Sequence, residues 1–64
     1  MADLNVGLDL ARVETLTNHS IHLVSLAIGD LVAGNPIASM KRYIEAQVAL
    51  DNAIQEFRAA GIRL

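Results

Sequence analysis

His19 and His22 are the side chains of this sequence best suited to chemistry. Three residues apart on a helix they share a face, where two imidazoles can bind a metal or titrate together near neutral pH. The zinc-enzyme helix motif, however, spaces its histidines four apart with a glutamate between them, and no carboxylate stands one turn from this pair on the same face. Two solvated histidines on a polar face are the simpler reading, and a pH-sensitive contact with a partner's carboxylates is the second. Glu45 and Glu56 are about three helical turns, roughly 16 Å, apart, too far to act on one bond. The glycosylation pattern Asn18-His19-Ser20 falls inside a predicted helix with no signal peptide ahead of it. There is no glycine-rich phosphate loop and no nucleophile elbow, and the absence of cysteine removes thiolate chemistry and disulfides together. The expectation is a protein that is not an enzyme, with no catalytic, cofactor or metal site.

The elements that carry these residues are set by Ala33-Gly34-Asn35-Pro36, near the midpoint of the 64 residues. Gly34 can take the left-handed conformation that closes a helix, Asn35 can cap the next one, and Pro36 suits a first turn, where its missing N–H would have no partner. This predicts an all-α fold, a two-helix antiparallel hairpin with helix one over about 8–33, a turn at 34–35 and helix two over about 36–60. Asn5 or Asp3 is the expected first cap, with Asp9 in the first turn, and Gly61-Ile62 has the form of a Schellman stop.

At about 100° per residue, Leu10, Val13, Leu16, Leu23, Val24, Ala27, Ile28 and Leu31 gather on one side of helix one, with Thr17 and Ser20 set among them. Arg12, Thr15, Asn18, His19, His22 and Asp30 lie mostly opposite. On helix two, Ile37, Met40, Ile44 and Val48 define one apolar centre and Leu50, Ile54 and Phe57 another, a drift that suits helices coiling about their neighbours. Two helices enclose no interior, so Leu16, Leu23, Val24, Ile28, Leu31, Ile37, Met40, Ile44, Ile54 and Phe57 are the expected interface with other helices. Small residues form a second pattern: Gly29 with Ser25 and Ala33 on helix one, and Ala46, Ala49 and Ala53 with Ala60 on helix two. Alanine is a good helix former on any solvated face; alternatively Gly29, Ala46, Ala49 and Ala53 make a second interface to neighbouring subunits. Gln47 and Asp51 approach the stripe, where a polar residue can fix register or simply be solvated. Lys41 and Arg42 are expected to pair with Glu45 along the helix surface.

Composition narrows the partners. The apolar fraction of 53% exceeds the roughly 45–50% of an ordinary domain, while the chain is small enough to need help in burying its surface. With no cysteine that help is expected to come from association, with copies of itself or with a helical protein partner. Seven acidic residues outnumber five scattered basic ones, which disfavours nucleic acid, including RNA bound by a pair of hairpins. Ile21–Ala33 is interrupted by His22, Ser25, Gly29 and Asp30, so no membrane insertion is expected. The N-terminal residues have no basic signal region, which predicts a cytoplasmic protein or one exported without a cleaved signal peptide.

In Tyr43, Glu45, Ala49-Leu50, Ala53-Ile54 and Ala60-Gly61, the second helix resembles that of the small co-chaperones of needle subunits in bacterial type III secretion, and Val13-Glu14-Thr15 fits their first helix. Asn35-Pro36 and Ile54-Gln55-Glu56-Phe57 are similar to the needle subunits themselves, whose turn usually carries a second proline and whose second helix is longer. Neither resemblance implies a catalytic site. Both imply helix-on-helix assembly: a chaperone-like interaction module in the first case, a self-assembling filament, tube or ring in the second.

Overall fold

The computed structural model describes residues 7–64, which form two helices, α1 (Leu10–Val32) and α2 (Pro36–Ala59), packed against each other as a hairpin. Asp9 occupies the cap of α1, its carboxylate accepting from the Arg12 amide at 3.0 Å. It thus stands before the helix rather than in its first turn; Asp3 and Asn5 lie outside the described residues. An aspartate in this position satisfies an amide that has no carbonyl one turn back, and it places negative charge at the positive end of the helix dipole.

The turn uses Gly34 as the sequence leads one to expect. With φ at +82° it donates to the Leu31 carbonyl, and the Asn35 amide reaches the Asp30 carbonyl at 2.8 Å, a complete Schellman closure. Asn35 then serves α2 as well, but through its backbone: its carbonyl accepts from the Ser39 amide and its side chain makes no capping bond. The side-chain cap expected there is absent; the Asn35 backbone sits at φ −113° and ψ 72°. Pro36 opens α2. The same closure recurs at the far end, where Gly61 has φ +87° and the Ile62 amide reaches the Phe57 carbonyl.

The inner seam has a 3–4 spacing on both helices. On α1 it runs through Val13, Leu16, Ser20, Leu23, Ala27 and Asp30, and on α2 through Ser39, Arg42, Ala46, Ala49, Ala53, Glu56 and Ala60; every one is buried or half-buried. This is the repeat of a left-handed coiled coil, in which 3.5 residues per turn keep the contact facing the partner helix. Small alanine side chains along the α2 seam allow a close approach of the two backbones, since interaxial distance depends on the side chains at the contact. The close approach has polar consequences. The Ser39 hydroxyl, 1% exposed, donates across the seam to the Ala27 carbonyl at 2.7 Å, and Ser20 donates to Thr17 of its own helix. Ion pairs close both ends: Arg42 with Asp30 at 3.3 Å near the turn, Arg12 with Glu56 at 2.8 Å near the open end.

Candidate interaction surface

The hairpin buries its small side chains and leaves its large ones outside. Among the described residues its buried set is Ser20, Leu23, Ala27, Ser39, Ala46, Ala49 and Ala53, in which Leu23 alone is a large apolar residue. Fourteen large apolar side chains remain exposed, so the apolar surface of this chain points away from its own partner helix.

Heptad geometry places much of that surface on one side. In the 3–4 repeat, the residue following the second member of each pair, and the one following the first, share one flank of the seam. On α1 these are Leu10, Glu14, Thr17, Ile21, Val24, Ile28 and Leu31; on α2 they are Met40, Tyr43, Gln47, Leu50, Ile54 and Phe57. Two antiparallel helices are related by a two-fold axis normal to the hairpin plane, and such an axis keeps each flank on its own side. The flanks of α1 and α2 therefore combine into one broad face, apolar apart from Glu14, Thr17, Gln47 and the Tyr43 hydroxyl. The opposite flanks carry Arg12, Thr15, His19, His22, Lys41, Glu45, Asn52 and Gln55, with Leu26 half-buried and Val48 exposed among them.

This arrangement sorts the expected interface residues. Leu23 is 5% exposed and is spent inside the hairpin, with Leu16 half-buried beside it. Val24, Ile28, Leu31, Met40, Ile54 and Phe57 lie on the broad face, whereas Ile37 and Ile44 stand at its outer edge. The second interface is corrected outright. Ala46, Ala49 and Ala53 are 2%, 5% and 6% exposed because α1 covers them, so they are available neither to a neighbouring subunit nor to solvent. Gly29 does not join them: it is exposed, with open space where a Cβ would project. Gln47 and Asp51 are both exposed. Arg42 is drawn to Asp30 across the seam and not to Glu45. These cross-helix pairs were missed because they depend on rotational register; the sequence signal for them was the 3–4 spacing of Arg42 and Glu56 with the alanines.

Near the open end, Ile54, Phe57, Ile62 and Leu64 line a shallow groove whose polar edge is Arg58 and Arg63. The Ile62–Phe57 closure brings the C-terminal residues back over the end of the broad face. His19 and His22 are exposed on the polar side, and among the described residues no three His, Cys, Asp or Glu side chains gather closely enough to hold a metal ion. No described helix is long and apolar enough to cross a membrane. No family model, curated protein or solved structure matches this chain.

Proposed function

We propose that this protein is a non-enzymatic interaction module that binds other helices through the broad apolar face of its hairpin. The observation that carries this reading is the inversion of its packing: the alanine seam holds the hairpin together while Ile21, Ile28, Leu31, Met40, Leu50 and Ile54, each at least 43% exposed, are held on rigid helices with nothing over them. Contiguous apolar surface of this extent marks a contact site in a small protein. Ser39, the two interhelix ion pairs and the Schellman closures hold the face in shape before any partner arrives, which lowers the ordering cost of binding. The likeness to the secretion co-chaperones supplies a more specific form of the same work, covering the apolar face of a helical client until it is assembled.

A polymerising subunit is the second reading, and one observation favours it. Val32 on α1 and Ile37, Ile44 and Val48 on α2 are exposed off the broad face, so apolar surface extends round the hairpin beyond one flat face. It no longer draws on Ala46, Ala49 and Ala53, which the hairpin itself consumes.

The test is site-specific photocrosslinking in the cells that make the protein. A photoreactive side chain at Leu50 is expected to capture protein, and the same group at Asn52, on the polar flank, is not. Equal capture from both positions, or none from Leu50, overturns the reading, whereas a ladder of adducts from Ile44 would move it to the polymer.

A further inference from the structure

We infer that the occupant of the broad face is a second copy of this chain, packed face to face with both turns at the same end as a four-helix bundle. The inference rests on the face being a helix-binding surface and adds the partner and its orientation.

Area supports a second copy. A helix of 24 residues is about 36 Å long, and two packed helices are about 20 Å across, so the broad face measures roughly 700 Å², close to the ~800 Å² that each partner contributes to a standard stable interface. A two-fold contact also requires a face that does not repel itself, and this one carries a single charged side chain, Glu14.

Glu14 then selects the orientation. The 2.8 Å Arg12–Glu56 ion pair sets these two positions at one height on the hairpin, so Glu14 is level with Ile54 and Gln55 on α2. Arg58 lies one helical turn from Ile54 and edges the groove that Ile54 and Phe57 line. If the turns coincide, the two-fold axis runs along the hairpin and lays α1 on the partner's α2, bringing Glu14 beside Arg58 of the partner subunit, twice per dimer. Among the described residues neither Glu14 nor Arg58 has an ion-pair partner within its own chain. If the turns were opposed, α1 would lie on α1 and Glu14 would meet the stretch around Ile28, where Arg42 is already engaged by Asp30. Charge complementarity favours the first arrangement.

Sedimentation equilibrium of the purified chain should give twice the chain mass, dissociating on dilution, and Leu50→Glu should remain helical by circular dichroism but sediment as a monomer. Asn35→Cys gives a single labelling site in a chain without cysteine. Spin labels there should lie close together across the dimer; opposed turns would separate them by a helix length, about 36 Å. Glu14→Arg and Arg58→Glu should each weaken dimerisation roughly tenfold, and the double swap should restore it. A helical monomer at every concentration, an open-ended polymer, widely separated labels or a double swap that fails to recover each overturns the proposal. A monomer that still crosslinks from Leu50 to another protein leaves the interaction-module reading standing and removes only the second copy; a monomer that crosslinks to nothing removes both.

Discussion

Substitution of Ala46 by leucine tests whether the alanine seam sets the helix spacing. Ala46 is 2% exposed against α1, so three additional carbon atoms find no gap there and must push the helices apart or force poor rotamers. Overpacking of this kind costs about 1–3 kcal/mol. A chain of 64 residues has roughly 3–10 kcal/mol of total stability at ~0.05–0.15 kcal/mol per residue. The substitution therefore removes a large share of what holds the hairpin. Splaying the helices would also lengthen the Ser39–Ala27 hydrogen bond, which spans the seam at 2.7 Å. Urea denaturation followed by helical circular dichroism is the assay, at one fixed protein concentration because the proposed association would contribute to apparent stability. With an m-value near 1 kcal/mol/M, the midpoint should fall by about 1–3 M. Ala38→Leu, at an exposed position on α2, is the control and should stay within about 0.5 kcal/mol. If the two variants behave alike, or if Ala46→Leu raises the midpoint, the helices are not close-packed through alanine and the inside-out reading of the hairpin fails.

Two further expectations concern the helix ends. Asp9→Ala should cost about 1 kcal/mol because it removes the carboxylate that accepts from the Arg12 amide, while Asn35→Ala should cost less than about 0.5 kcal/mol because the Asn35 side chain caps nothing. Equal losses in thermal unfolding would contradict the backbone-only role of Asn35. The glycines of α1 and its turn should respond with opposite signs. Gly34→Ala puts a Cβ on a residue at φ +82° and should lose about 1–2 kcal/mol, whereas Gly29→Ala, helical and facing open space, should gain about 0.5–1 kcal/mol. A stabilising Gly34→Ala would mean that the Schellman turn is not the one formed.

The turn was the most legible part of the sequence because its geometry is enforced locally. Gly34 and Gly61 hold backbone that other residues resist, Pro36 lacks an amide, and each therefore marks a boundary regardless of what packs nearby. The faces were less legible for a physical reason. Hydropathy ranks Leu and Ile above Ala and Ser, so reading the periodicity by size gathers Leu16, Leu23, Val24 and Ile28 into one interface and gives Ala46, Ala49 and Ala53 either a solvated face or a second interface. Burial within a pair of helices follows how near the backbones can come, and small residues win that competition where a 3–4 spacing of alanines faces a serine, an alanine and a single leucine. The drift of the apolar stripe on α2, visible between Val48 and Leu50, separates Ile37, Ile44 and Val48, which stand at or beyond the edge of the broad face, from Leu50, Ile54 and Phe57, which lie on it. The ion pairs of Arg12 and Arg42 needed the register between helices, which no single helix contains.

The inversion also explains how one chain can be well formed while its large apolar side chains stay outside. Large side chains between two lone helices would hold the backbones apart and leave the flanks open to water on both sides, gaining little enclosure. An alanine seam gives a narrow, specific contact, sharpened by Ser39 and closed at either end by an ion pair. It leaves Ile21, Ile28, Met40, Leu50 and Ile54 free to be enclosed by a second layer. Their burial would contribute about 1.5–3 kcal/mol for each fully covered large side chain, and only on association. Hairpin shape and the proposed partner binding thus draw on different residues of the same helices. Substitutions on the broad face should separate the two, abolishing assembly while helicity at the same concentration persists. Seam substitutions cannot, because losing the spacing of the helices loses the face they present.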